Sequence, residues 1–222
     1  MMRYALQLKL ITILSIAFFI FGILFEISDF GNTSGSYSIA ALYMALTGVY
    51  FYQLVFSTSI SKMVQASPMK KTIQTSGSIV ITLIFSLLTF TLYTIIRCIR
   101  ITPEYIEDNE ISWAKGYSTI PFMAVCIFIL VVYVSFSYKS YILSIIFVAV
   151  SLLLFIFLGS TQDLVINISE KLLSGNSPVL IIIVSYVIIL VGAAIGYLLS
   201  VILFKKEISD LSVRYALKSA NK

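Results

Sequence analysis

The residues with the most to offer chemically sit together in Ser59–Gly77, SISKMVQASPMKKTIQTSG, a polar stretch carrying Lys62, Lys70 and Lys71 between two apolar runs. Its interior follows the rules for a helix start. Ser67 can cap, Pro68 suits the first helical position, and Met69 and Ile73 fall on one face while Lys70 and Gln74 fall on another. Cations beside an apolar edge on a short amphipathic helix make a docking surface for a soluble partner, not a centre for bond making.

The missing chemistry narrows the reading further. The chain has no histidine, which removes the commonest general base and a leading metal ligand. It contains no GxxxxGK[ST] phosphate loop, no Ser-His pair and no HExxH, so nucleotide hydrolysis by that route, triad hydrolysis and His-based metal chemistry are excluded. Cys98 and Cys126 belong to no CxxC pair and lie in or beside apolar runs, where packing is their ordinary role. No paired carboxylates fall in the middle of an apolar run, which counts against a carrier driven by protons or cations. The expectation is a chain with no catalytic residue, no cofactor and no metal, and any energy supplied by another subunit.

Those sparse groups must be positioned by an unusually apolar chain. Hydrophobic residues make up 59% of it and charged residues 11%, with a mean hydropathy of +1.03. A soluble domain carries about a quarter charged residues, so this chain cannot cover a water-facing surface. It reads as one integral membrane domain over 1–222. The net charge of +5 is spread over loops and a tail, and no basic patch with interleaved aromatics points to nucleic acid. Arg3 and Lys9 before an apolar run mimic a signal peptide. Glu26-Ile27-Ser28-Asp29 offers no A-x-A cleavage site, however, so the run reads as a retained first span.

A span takes about 20 apolar residues to cross roughly 30 Å of hydrocarbon. Six runs qualify, near 10–27, 38–58, 77–97, 118–137, 141–159 and 178–204, followed by a cytoplasmic tail over 205–222. With both termini inside, the cytoplasmic side holds Arg3, Lys9, Lys62, Lys70, Lys71, Lys139, Lys205, Lys206, Arg214, Lys218 and Lys222. Only Arg97, Arg100, Lys115 and Lys171 remain outside, and that asymmetry sets the orientation. The expected fold class is all-α: six transmembrane helices, both termini cytoplasmic, in the plasma membrane. A composition rich in Ile, Ser, Lys and Tyr fits a bacterial source.

Four further features stand out. Arg97 and Arg100 end the third span on the outer side, where Glu104, Glu107, Asp108 and Glu110 of the following loop can form a local ion-pair cluster. In Ser160–Ser177, Leu164, Ile168, Leu172 and Leu173 recur at helical spacing, which predicts an amphipathic or re-entrant outer helix. Span two is the most polar, and Tyr43, Tyr50, Gln53 and Ser57 either line a path or glue helices together. Gly192, Gly196 and Ser200 give span six a small-xxx-small ridge for close helix packing, in the same chain or in a second copy.

Six spans with both termini inside, a Lys-bearing cytoplasmic loop containing QASPMKK and a short outer helix between spans five and six resemble the permease subunit of ABC-2 type exporters. The resemblance covers the whole chain in topology. It implies a complex of two permeases, identical or related, with two cytoplasmic ATPase subunits that carry the ATP and Mg. It also implies a coupling helix between spans two and three. There Ser67, Pro68, Met69, Lys70 and Lys71 would meet the ATPase, with Met69 and Ile73 as an apolar knob and Lys62, Met63 and Gln65 alongside. The small size and aromatic-rich spans look most similar to exporters of amphipathic peptides, such as phenol-soluble modulins and bacteriocins. One departure is that family members often begin with an amphipathic helix on the inner surface, whereas about nine residues precede span one here.

Two other classes compete. A substrate-capture component of a vitamin uptake system also has about six spans, and it should show a polar pocket near the outer face. A non-transporting immunity or scaffold protein would only sequester a membrane-active peptide.

Overall fold

At membrane depth every backbone N–H and C=O must find an internal partner, which favours helix over open strand for a chain this apolar. The computed structural model describes residues 2–28, 38–59, 66–104, 112–137, 139–160, 163–173 and 177–206, and it is all-helical, with no β-strand among the described residues. In chain order the helices are α1 (Met2–Ile27), α2 (Ile39–Ser59), α3 (Lys70–Arg100), α4 (Trp113–Tyr117), α5 (Thr119–Ser137), α6 (Tyr141–Ser160), α7 (Asp163–Leu172) and α8 (Val179–Leu203). Three stretches, Lys70–Arg100, Trp113–Ser137 and Val179–Leu203, are long and apolar enough to cross a membrane. Shorter apolar helical stretches cover Thr12–Ile27, Ile39–Tyr50 and Ile142–Ser151. With 31 residues, α3 is about 46 Å long, so its ends project beyond a hydrocarbon layer of roughly 30 Å.

Two helices turn small and polar residues toward the bundle, among buried apolar ones, and large aliphatic residues outward. On α3 the buried face carries Thr82, Ser86, Thr89, Tyr93 and Arg97, while Val80, Ile84, Leu88, Ile95 and Ile99 are exposed. On α8 Ser185, Gly192, Gly196 and Ser200 are buried, and Ile183, Val187, Leu198 and Ile202 are exposed. Lipid accepts the apolar outer face. Inside, helices approach through small residues, and several hydroxyls bond to their own backbone. Thr82 Oγ1 donates to the Ser78 carbonyl (2.8 Å), Thr89 Oγ1 to the Ser86 carbonyl (3.0 Å) and Ser185 Oγ to the Ile181 carbonyl (2.8 Å). Both patterns mark a membrane protein.

The centre of the bundle is α5. It is apolar all round, so it has no preferred face to turn outward and goes to the middle. Phe122, Met123, Ile127, Leu130, Val131 and Val134 are all buried there, and α2, α3, α6 and α8 pack around it. On one flank α1 packs along α2, which also packs on α3.

Two local expectations change. A continuous helix runs from Met2, so the residues before position 10 extend α1 and form no separate surface helix. In α7 the inward set is Ser169, Leu172 and Leu173, whereas Ile168 is 54% exposed. Ser169, Leu172 and Leu173 form an i, i+3, i+4 stripe, and Ile168 lies one position off it.

Candidate functional site

At one end of the bundle the start of α3, the α5–α6 turn and the end of α8 meet. The entry to α3 is set by Ser67. Its Oγ accepts from Met69 N (3.2 Å), its carbonyl accepts from Lys70 N (3.1 Å), and the Met69 carbonyl accepts from Ile73 N (3.0 Å). A serine bonded two residues ahead makes a turn that competes with the helix, and the fixed φ of proline suits the turn's second position. The helix therefore begins at Lys70, after Met69 as N-cap, and not at Pro68. Pro68, Met69 and Lys71 are exposed, with Met69 at 60%, while Ser67, Lys70 and Ile73 are half-buried. Lys62, Met63 and Gln65 lie outside the described residues.

Immediately after, Ile73–Gly77 forms a π-helical turn. The run of Thr75, Ser76 and Ser78 explains it. Thr75 Oγ1 donates to the Lys71 carbonyl (2.7 Å), Ser76 Oγ to the Thr72 carbonyl (3.1 Å) and Ser78 Oγ to the Ile73 carbonyl five residues back (3.2 Å). Hydroxyls that bond back to the backbone loosen the regular ladder, and π turns of this kind often accompany functional sites. Gln74 and Thr75 are buried within it, and the turn packs against α8. Sequence reasoning did not single out this turn, although the polar run Gln74–Ser78 at the head of an apolar helix was its visible signal.

Lys139, counted above only as an orienting charge, has a structural task. Its Nζ donates to the carbonyls of Phe204 (3.3 Å) and Lys206, 5.8 Å from the centre of the Phe204 ring. A cation is favoured at a helix C-terminus, where carbonyls lack partners. Burial, and secondarily the Lys70 charge, push the Lys139 ammonium below its ordinary pKa. In return Lys206 Nζ donates to Ser140 Oγ (3.1 Å), so the α5–α6 turn and the end of α8 clasp each other. Tyr52 of α2 joins them through a hydrogen bond between its hydroxyl and Ser137 Oγ (3.0 Å). The turn before α3 thus stands beside a clasp joining α2, α5, α6 and α8.

Other sequence-selected residues are placed as follows. Tyr50 stacks on Phe18 (ring centroids 4.9 Å apart), and Tyr43 meets Phe18 (5.3 Å) and Phe25 (5.4 Å) at a tilt. These side chains fill the α1–α2 seam, as does the close approach of Gly22, where an added Cβ would lie 2.4 Å from Met44 Cγ. The side chains of Gln53 and Ser57 are outside the described residues. Gly192 presses on Phe128 of α5, where an added Cβ would lie 2.8 Å from Cδ2 and 3.1 Å from Cα. Gly196 sits over Val131, and Ser200 Oγ donates to the Ser135 carbonyl (3.4 Å). The small ridge is therefore occupied by α5 of the same chain.

The opposite end holds the strongest electrostatics. Arg97 Nη1 pairs with Glu26 Oε1 at 2.8 Å, both side chains buried, and Arg97 Nε donates to the Gly116 carbonyl at 3.1 Å. Arg100 donates to the Glu26 backbone carbonyl and stands 3.8 Å from the carboxylate. The two arginines thus reach back to the end of α1, where the sequence offered the loop carboxylates of 104–110. Glu104 is exposed, and 105–110 lie outside the described residues. One buried carboxylate thereby ties α1, α3 and, through Arg97, α4 together. No group of three potential metal ligands occurs among the described residues.

No family model, no curated protein and no solved structure matches this chain.

Proposed function

We propose that this chain is the six-span permease subunit of an ATP-driven exporter, with both termini cytoplasmic and a hydrophobic or amphipathic cargo. The observation that carries the reading is the exposed set of Pro68 and Met69 in the turn before α3 and Lys71 in the first turn of that 31-residue helix. A partner that pushed on this turn would act, beside the Lys139 clasp, on one continuous helix that reaches the far end of the bundle. The basic end, with Lys70, Lys71, Lys139, Lys205 and Lys206, would face the cytoplasm by the positive-inside rule. Two copies would pair with two ATPase subunits, which supply ATP and Mg. Closure of the ATPases would move α3 as a body and open a path between the chains. Binding of such cargo comes from buried apolar area and needs no buried charge.

The test is co-expression with a candidate ATPase from a bacterial host and purification in detergent. The reading expects a complex of two copies of each. Met69→Glu with Lys71→Glu, both at exposed positions, should abolish ATPase capture and transport while leaving insertion and the unfolding midpoint unchanged. Undiminished capture and transport by that variant would remove the turn from the mechanism.

One observation favours the substrate-capture reading as an alternative. The buried polar centre around Glu26, Tyr93 and Arg97 lies at the end that the orientation above places outside.

A further inference from the structure

From Ser78 onward the inward face of α3 is regular. Ser78, Thr82, Ser86, Thr89, Tyr93 and Arg97 are all buried, at the steps of one α-helical stripe. Carried back by the same steps, that stripe would take in Lys71, two turns before Ser78, and would leave Ile73 on the outer side. The structure has the reverse. Lys71 and Thr72 are exposed, whereas Lys70 and Ile73 are half-buried. The head of α3 is therefore one residue out of register with its body.

The π turn Ile73–Gly77 is the cause. Its bonds span five residues where those of an α turn span four, so it takes in one extra residue and rotates everything before it by about 100°. Two features belong to the π form alone. Ser78 Oγ donates to the Ile73 carbonyl five residues back, whereas in a regular helix a serine reaches the carbonyl four back. A Cβ at Gly77 would stand 3.3 Å from the Thr72 carbonyl oxygen, also five residues back, and glycine avoids that crowding. Glycine is also the poorest α-helix former after proline, so Gly77 relieves the π form and weakens the α form. The remaining bonds are indifferent to the choice. Thr75 and Ser76 donate to carbonyls four residues back, which both forms allow. Exchange therefore asks only that the Ser78 hydroxyl change carbonyls.

We propose that Ile73–Gly77 is a register switch that exchanges between this π form and a regular α form. The π form presents Lys71 and turns Lys70 inward. The α form rotates the head of α3 by about 100° and draws Lys71 against the bundle. The exchange is a property of α3 itself; only its use to present or withdraw a docking turn for an ATPase rests on the reading above.

The full chain, with Cys98→Ala and Cys126→Ala, is purified in detergent carrying one probe at a time, Lys70→Cys or Lys71→Cys. The rate of reaction with a water-soluble maleimide reads which position faces out. With the native turn, Lys71→Cys should react faster than Lys70→Cys. Gly77→Ala crowds the π form and favours the α form, so the ratio of the two rates should fall about fivefold. Deleting Ser76 removes the extra residue and leaves a regular helix in the native register. The native ratio should then persist, and adding Gly77→Ala should not change it. In a helix without a π turn the same deletion would rotate the head by about 100° and reverse the ratio. The proposal is overturned if Gly77→Ala leaves the ratio unchanged, or if deletion of Ser76 reverses it. If the deletion does not fold, Gly77→Ala decides alone. ATPase capture by Gly77→Ala is a separate readout: undiminished capture beside a lowered ratio upholds the switch and removes the turn from docking.

Discussion

Gly192 and Gly196 lie one helical turn apart on the same ridge of α8, yet the structure assigns them different tolerances. An alanine Cβ at Gly192 would stand 2.8 Å from Phe128 Cδ2 and 3.1 Å from Phe128 Cα. The ring can rotate away. The Cα cannot, so α8 must back off α5 by a few tenths of an ångström along their principal contact. Overpacking of this kind costs about 1–3 kcal/mol. Replacing glycine by alanine inside a helix returns about 1 kcal/mol, for a net loss of about 0–2 kcal/mol. At Gly196 the nearest atoms, Ile79 Cδ1, Val131 Cγ1 and the Val131 carbonyl, all stand at 3.4 Å. That is ordinary contact, so Gly196→Ala keeps the propensity gain. The two variants should therefore differ by about 1–3 kcal/mol, or roughly 2–12 °C in unfolding midpoint for a chain of this size. Thermal unfolding of the purified protein, read through Trp113, measures the difference. Adding Phe128→Leu to Gly192→Ala should recover only part of the loss, because the approach to Cα remains. An unfolding midpoint for Gly192→Ala equal to or above that of Gly196→Ala would refute the packing of α8 on α5 through this ridge.

Two other outcomes follow from the charged groups. Glu26→Gln removes the carboxylate charge paired with the buried Arg97 and should cost about 3–5 kcal/mol, whereas Glu26→Gln with Arg97→Met should cost less than either single change; a loss in the double variant equal to the sum of the two single losses would show that the pair is not coupled. Because the folded-state pKa of Lys139 lies below its ordinary 10.5, the unfolded chain binds more protons in the alkaline range, so stability should rise as pH climbs from the folded value toward 10.5. Lys139→Met removes that contribution, and pH-dependent unfolding of the two proteins should diverge in slope there.

Helices were legible in this chain because hydropathy is local. A run such as Thr119–Ser137 declares both its length and, by being apolar on every side, its central position. Partners were not legible in the same way. Nothing near Arg97 names Glu26, which is 71 positions earlier, whereas the acidic loop just after Arg100 offers nearer carboxylates. Among the described residues, the Glu26 carboxylate at the end of α1 meets both guanidiniums. The same limit applies to Lys139. Counting it as an orienting charge is sound as statistics, yet its burial against the Phe204 and Lys206 carbonyls appears only once α8 is folded back beside the α5–α6 turn. Gly192 and Gly196 announce close packing by spacing alone, but the identity of the neighbour depends on which helix stands opposite. At Ser67–Met69 local rules went further, since the Ser67 hydroxyl accepts from the backbone two residues ahead as a cap at a helix start does, with Met69 exposed before α3 and Lys71 exposed in its first turn.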